Sequence, residues 1–162
     1  MKNNHNLLFS VDKENKKILV ERRFAAPLAT IWSAWTDSTI LDQWWAPKPW
    51  KAKTRDMDFR AGGRWLYAMV GPDNEVHWSL TEFISVEPNQ SFSAWTSFCD
   101  ENGKALPDFA RSRWTNRFLE TASGTLVKVE IEFEQLSDLE QIIAMGFKEG
   151  FTMGMENLDA LL

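Results

Sequence analysis

Six strand-like runs follow one another through the middle of the chain, separated by turn sequences and one longer connection. The last run alternates most clearly: Val127, Val129 and Ile131 share one face, and charged residues occupy the other. Such alternation is typical of a half-buried strand, and a turn such as Gly62-Gly63 favours a hairpin. The sequence therefore predicts an antiparallel sheet. Its six runs span residues 53–60, 64–70, 76–86, 91–99, 111–120 and 125–134.

A strand and two short helices are predicted before these runs. Residues 17–25 form the strand, and residues 7–11 pair with it as a short hairpin partner. Pro27 suits the first turn of a helix over PLATIWSAW. Asp37 is a favourable N-cap for a second helix over STILDQWWA.

One long helix is predicted over residues 137–162, where Ser137 followed by Glu140 forms a capping box. Helices at both ends of a run of hairpins are expected to cover one face of the sheet. We therefore predict a single α+β domain over residues 1–162 with the order β-α-α-β6-α, in which a curved antiparallel sheet wraps around the C-terminal helix.

Three glycines recur every four residues in the predicted helix. Gly146, Gly150 and Gly154 therefore share one stripe. Each costs about 1 kcal/mol relative to alanine inside a helix, so the stripe needs a physical reason. Close approach of the helix to the sheet is one reason, and room left for a ligand under the helix is the other.

Charge and cysteine content limit the classes of partner. The net charge is −5, which argues against nucleic acid or an anionic membrane surface as the main partner. No stretch is long and apolar enough for a membrane span or the core of a signal peptide. Cys99 is the single cysteine, so intramolecular disulfides are excluded and a reducing, cytoplasmic location is expected.

Aromatic residues dominate the predicted inner face of the sheet. The chain has nine Trp and eleven Phe, and rigid rings can either fill a core or line a hollow. Several polar residues share that register, where they either bond to neighbouring groups or orient a ligand, unless a β-bulge reverses the parity. The predicted cavity residues are Trp45, Trp65, Tyr67, Met69, Trp78, Glu82, Thr96, Phe98, Trp114, Asn116, Phe147 and Phe151.

The sequence lacks the usual catalytic and cofactor motifs. It has no metal-ligand spacing, no glycine-rich phosphate loop and no nucleophile elbow, so neither a metal nor a cofactor is expected. His77 falls outside the apolar register and is expected to be solvated. Asp100 beside Cys99 is expected to raise the pKa of the thiol. Glu82 is the single weak candidate for a catalytic residue, because burial without a partner would raise its pKa.

Four segments resemble one protein family. The segments are ERRFAAPLATIW, AWTDSTILDQWWAP, FRAGGRWLYAMVGPDN and GFTMGMENLDALL. They are similar to segments of proteins related to the C-terminal domain of the heat shock protein 90 ATPase activator, and the resemblance runs from about residue 17 to residue 162. This resemblance implies the helix-grip fold of the superfamily that includes START lipid-transfer domains, polyketide cyclases and aromatases, and birch-pollen allergens. It also implies a deep hydrophobic cavity. The eukaryotic activator has a separate N-terminal domain for which these residues leave no room, so chaperone binding does not follow from the resemblance.

The sequence is compatible with three functions. The first is binding of a small hydrophobic or aromatic molecule, as a carrier or sensor. The second is cyclase- or aromatase-like catalysis, in which Glu82 acts with Tyr67 or Arg22. The third is a protein-interaction module, either a stress-related co-chaperone or a homodimer, which uses an exposed aromatic patch around Trp44, Trp45 and Trp50.

Overall fold

The computed structural model describes residues 6–162. Two strands, two short helices, six strands and two helices follow in chain order. The strands are β1 (Leu7–Asp12), β2 (Lys17–Phe24), β3 (Lys51–Met57), β4 (Arg64–Val70), β5 (Val76–Glu87), β6 (Ser91–Cys99), β7 (Ser112–Thr121) and β8 (Gly124–Glu132). The helices are α1 (Leu28–Thr36), α2 (Ser38–Trp44), α3 (Leu136–Ala144) and α4 (Phe147–Leu161). None of these helices is long and apolar enough to cross a membrane within the described part of the chain.

All eight strands form one antiparallel sheet in the order β1-β2-β8-β7-β6-β5-β4-β3. The six predicted runs pair with their neighbours in sequence as hairpins, and β2 joins β8. The α+β fold class, with helices against a curved antiparallel sheet, is therefore confirmed. The bounds of β4 and β6 coincide with the predicted runs 64–70 and 91–99.

The alternation in β8 sets the buried face of the sheet. Val127, Val129 and Ile131 are buried in the main hydrophobic cluster, whereas Lys128 on the other face is exposed. The same cluster includes Trp65 and residues of α1, α2 and α4, so the helices cover this inner face of the sheet.

The predicted register of β5 is wrong. Trp78 and Glu82 were expected on the inner face, but Thr81 and Phe83 lie there. Leu80 and Trp78 instead pack on the outer face with Leu66 and Cys99 as a second small cluster. A bulge between Phe83 and Ser85 then reverses the parity for the rest of the strand.

The turn that follows β6 folds back toward β3 and β4. The backbones of Cys99 and Ala105 form an isolated antiparallel β-bridge, and Arg55 on β3 donates a hydrogen bond to the Glu101 carbonyl. A Cβ added at Gly103 would lie 3.1 Å from an Arg64 nitrogen on β4. Residues 101–103 therefore lie against Arg55 of β3 and Arg64 of β4.

The predicted long C-terminal helix is two helices. Helix α3 ends at Ala144 with Met145 as its C-cap, and Gly146 adopts a left-handed conformation with φ of 88° before α4 begins. The N–H of Gly146 donates to the Ile143 carbonyl at 3.1 Å, as expected of a glycine that terminates a helix. The predicted capping box is also wrong, because α3 begins at Leu136 after Gln135 and has no side-chain cap.

Helix α4 packs against the end of α2. A Cβ at Gly154 would lie 3.1 Å from the Trp45 carbonyl oxygen and 3.4 Å from that of Trp44, so glycine permits this close approach. Asn157 donates to the carbonyl oxygens of Trp44 and Ala46 at 3.4 and 3.1 Å. These bonds satisfy carbonyls that the end of α2 leaves without helical partners.

The three tryptophans of the hypothesised interaction patch do not form an exposed group. Trp44 is buried, and its indole donates to the Ala34 carbonyl at 2.9 Å. Trp45 borders the inner face, and Trp50 is half-buried against the His77 ring at 5.5 Å. The predicted N-cap of α2 is confirmed, since the Asp37 carboxylate accepts from the Thr39 N–H.

Candidate ligand-binding cavity

A cavity of about 310 Å³ lies between the inner face of the sheet and the helices. Strands β3 to β8 supply one wall, and α1, α2, α3 and α4 supply the other. Three exposed residues that border it, His77, Ala110 and Met145, mark the end at which it reaches solvent. The predicted residues that border it are Trp45, Trp65, Tyr67, Met69, Thr96, Phe98, Trp114, Asn116, Phe147 and Phe151.

Trp78 and Glu82 lie outside the cavity because the register of β5 is opposite to the predicted one. Glu82 is exposed on the outer surface, where it pairs in register with Arg64. The predicted pairing of Glu82 with Tyr67 or Arg22 is therefore absent: Tyr67 faces the cavity. Arg22 is buried and forms an ion pair with Asp159 of α4. The acid group postulated for catalysis is consequently on the wrong side of the sheet.

Hydrogen bonds hold the rings near β4 in fixed positions. The Trp45 indole donates to the Tyr67 hydroxyl at 2.9 Å, and the Trp65 and Tyr67 rings stack with centroids 4.0 Å apart. The Trp65 indole donates to Thr54 at 2.9 Å, and the Thr54 hydroxyl donates to Asp42 at 2.7 Å. These rings cannot turn into the cavity without breaking the bonds, so they support an open space.

Aromatic contacts continue on the helix side. Phe147 and Phe151, one turn apart at the start of α4, stack with centroids 5.2 Å apart. Trp114 of β7 meets them edge-on at 5.9 and 5.6 Å. Gly150 lies between the two phenylalanines in sequence and also borders the cavity, where the absence of a side chain leaves room.

The polar groups on the wall fall into two kinds. Thr96 and Ser112 share a hydrogen bond at 3.0 Å, and the Trp114 indole donates to Ser112 at 3.3 Å. The Oδ1 atom of Asn116 and the Nε1 atom of Trp35 have no partner, although both are buried. Among the side chains of residues 6–162, these are the two buried polar atoms left without a hydrogen bond.

Some residues that border the cavity were not predicted from the sequence. Ser112 shares the parity of Trp114 and Asn116, so the alternation of β7 contained enough information to find it. Thr81 was missed because the register of β5 was assigned the wrong way round. Trp35 lies on α1, and no sequence signal distinguishes it from an ordinary core residue.

The wall of the cavity carries little charge. No Asp, Glu, Lys or Arg is among the described residues that border it. Burial raises the pKa of the Tyr67 phenol, partly offset by hydrogen bonds with Trp45 and Ser79, so the phenol stays neutral. Within the described residues, no group of His, Cys, Asp and Glu could hold a metal ion.

The thiol of Cys99 lies outside the cavity, in the outer cluster. Burial, followed by the nearby charge of Asp100, raises its pKa to about 11. The expected upward shift is therefore found. A thiol with this pKa is protonated at neutral pH and is a poor nucleophile.

The family is decided by a match over most of the chain. Residues 25–162 match the family described as activator of Hsp90 ATPase homolog 1-like protein. The chain belongs to this family. Membership in the Hsp90 ATPase activator-like family agrees with the four sequence segments and with the helix-grip arrangement of the sheet and α4.

Solved structures show the same fold. Protein Ms6760 from Mycobacterium smegmatis is 30% identical, with a TM-score of 0.90 and coverage of 96% of each chain. A protein from Arthrobacter aurescens is 25% identical, with a TM-score of 0.89 and coverage of 94% of this chain and 89% of that one. The AHSA1 protein from Silicibacter pomeroyi is 20% identical, with a TM-score of 0.70 and coverage of 89% and 95%, and it shares the fold. No curated protein matches this sequence.

Proposed function

We propose that this activator-like protein binds a small, uncharged, largely aromatic molecule in the cavity between the sheet and the helices. The observation that carries the proposal is an open space of about 310 Å³ walled by aromatic rings. This volume lies at the lower end of the roughly 300–1,000 Å³ typical of ligand pockets. The hydrogen bonds of Trp45 and Trp65 keep their rings in place, which favours a preformed site.

The lack of charge on the wall determines the class of ligand. Transfer of an ion into such a space is unfavourable without a partner of opposite charge. A neutral aromatic molecule instead gains from burial of its apolar surface and from edge-to-face contacts with Trp114 and Phe151. We place this binding in the cytoplasm, where the single thiol of Cys99 stays reduced.

Tryptophan fluorescence tests the proposal, because Trp35, Trp45, Trp65 and Trp114 border the cavity. Titration with a library of neutral aromatic compounds is expected to give saturable quenching by at least one member. The affinities of the compounds that bind then rank the ring systems that fit the cavity.

A matched pair of variants locates the site. Ala94 is buried and borders the cavity, so Ala94→Leu fills part of the space and is expected to weaken the quenching response. Ala29 is exposed on α1, so Ala29→Leu is expected to leave it unchanged. Absence of saturable quenching by every library member, or equal responses from both variants, would contradict the proposal.

Stimulation of the Hsp90 ATPase is the second candidate, because the description of the family names that activity. The measurement is the ATPase rate of the purified chaperone with and without this protein. An unchanged rate at a large excess of this protein removes this candidate and leaves the binding proposal intact.

A further inference from the structure

Three hydroxyl side chains lie side by side on the sheet wall of the cavity. Thr81 of β5 pairs in register with Thr96 of β6, which pairs in turn with Ser112 of β7. All three border the cavity. Residues directly opposite each other in an antiparallel sheet have Cβ atoms about 4.5–5.5 Å apart, so these side chains are neighbours. We call Thr81, Thr96 and Ser112 the hydroxyl row.

The hydroxyl of Thr81 has no partner and reaches the open space. It makes no hydrogen bond with the described chain, although Thr81 is only 8% exposed. In residues 6–162, the buried polar atoms that lack both a partner and accessible surface are Asn116 Oδ1 and Trp35 Nε1, so the Thr81 oxygen keeps accessible surface. Because Thr81 lies on the inner face of β5, that surface faces the cavity.

The other two hydroxyls of the row have one proton without an acceptor. Thr96 and Ser112 share a hydrogen bond at 3.0 Å, and the Trp114 indole donates to Ser112 at 3.3 Å. Each of these three side chains carries one polar proton, but they form only two hydrogen bonds with one another. Whichever hydroxyl donates in the shared bond, the proton of the other has no acceptor in the described chain.

The rest of the wall offers these protons no acceptor. No carboxylate of the described residues borders the cavity, and the unpaired oxygen of Asn116 is enclosed. The residues of α3 and α4 that border the cavity, such as Ile142, Phe147 and Phe151, are apolar. Since a buried hydroxyl proton without a partner is unfavourable, the hydroxyl row favours an acceptor that enters with the ligand.

We propose that the hydroxyl row donates hydrogen bonds to an acceptor oxygen of the aromatic ligand, such as the carbonyl oxygen of an aryl ketone. A carbonyl oxygen has two lone pairs and no proton, so it can accept from Thr81 and from the Thr96–Ser112 pair. It also brings no further donor that needs a partner. This inference rests on the proposed binding function and specifies the class of ligand within it.

Tetralin and 1-tetralone test the proposal by calorimetric titration, because the two compounds differ by one carbonyl group. We expect wild type to bind 1-tetralone about fivefold more tightly than tetralin, since one net hydrogen bond is worth about that factor. In Thr81→Val, a methyl group replaces the hydroxyl, and we expect the ratio of the two affinities to fall to about twofold or less. Thr81→Ser keeps a hydroxyl and is expected to keep the preference for 1-tetralone.

Two controls separate a binding role of Thr81 from a structural one. Thr115 of β7 lies on the outer face of the sheet and does not border the cavity, so Thr115→Val is expected to keep the full preference for 1-tetralone. Without ligand, Thr81→Val is expected to keep or raise the melting temperature, because no hydrogen bond within the described chain is lost.

Each outcome decides the inference. If wild type and Thr81→Val bind both compounds with the same ratio of affinities, the hydroxyl row does not read the carbonyl, although binding itself supports the proposed function. A marked fall in the melting temperature of Thr81→Val would also refute the inference, because the hydroxyl would then be structural. Failure of both compounds to bind wild type would count against the inference and the proposed function together.

Discussion

Two glycines of α4 are expected to respond differently to substitution by alanine. Gly150 and Gly154 both lie inside the helix, so alanine at either position gains about 1 kcal/mol of helix propensity. At Gly150, the new Cβ would lie 3.7 Å from the Pro47 ring, which is an ordinary van der Waals contact. Gly150→Ala is therefore expected to stabilise the protein by about 1 kcal/mol and to raise the melting temperature by about 2–4 °C.

At Gly154, the same methyl group meets fixed backbone. Its Cβ would lie 3.1 Å from the Trp45 carbonyl oxygen, so α4 must move away from the end of α2. That movement would lengthen the hydrogen bonds of Asn157 to the Trp44 and Ala46 carbonyls. Overpacking of this kind costs about 1–3 kcal/mol, so the net effect of Gly154→Ala ranges from none to a loss of about 2 kcal/mol.

Thermal unfolding followed by circular dichroism measures both variants, and urea denaturation gives the free energy of unfolding independently. The expected result is a melting temperature above that of wild type for Gly150→Ala and one at or below wild type for Gly154→Ala. Stabilisation of both variants to the same extent would refute the argument, because it would mean that α4 does not approach α2 as closely as described.

Three further predictions concern buried polar groups. Tyr67→Phe is expected to destabilise the fold by about 1–3 kcal/mol in urea denaturation, because it leaves the indole of Trp45 without an acceptor. Asp159→Asn is expected to cost about 1–3 kcal/mol at low salt by the same measurement, since it removes the charge that faces buried Arg22. Because the Asp159 side chain is 42% exposed, the loss is expected to be smaller at about 1 M salt, and an equal loss at both salt concentrations would contradict this reasoning. Because burial raises the pKa of Cys99 to about 11 from 9.0, the folded state holds this proton more tightly than the unfolded state, and stability is expected to fall as pH rises from about 9 to about 11. In Cys99→Ala, the free energy of unfolding is expected to change less between about pH 9 and about pH 11. The same pH dependence in wild type and variant would contradict a raised pKa of Cys99.

The sheet was largely predictable because alternation and turns specify it locally. Gly62-Gly63 and the other turn sequences predicted the hairpins, and the alternation of β8 identified the inner face. The pairing of β2 with β8 joins distant parts of the chain, and no local pattern encodes it. It was therefore not predicted.

The register of β5 was mispredicted for a physical reason. Alternation identifies an apolar face, but it does not say which core that face meets. Trp78 and Leu80 pack in the outer cluster with Leu66 and Cys99, and the bulge after Phe83 changes the parity of the rest of the strand. For the same reason, the assignment of Glu82 to the cavity was wrong.

The break in the C-terminal helix had a local signal that the periodicity of the glycines concealed. Gly146 directly follows the apolar end of α3, which is the position at which glycine most often terminates a helix. Of the two explanations for the glycine stripe, close packing applies at Gly154, although against α2 and not the sheet. Gly150 borders the open space.

The outer cluster of Leu66, Leu80 and Cys99 gives β4, β5 and β6 apolar contacts on the face opposite the cavity. The outer cluster packs one side of these strands independently of the cavity, and three small residues, Ser79, Thr81 and Ala94, border the cavity on the other side. Substitution at these small positions can therefore change the size and polarity of the cavity surface while the outer contacts stay in place. A scaffold arranged in this way can acquire new ligands by substitution of a few inward positions, and those positions are the natural starting point for redesign of its specificity.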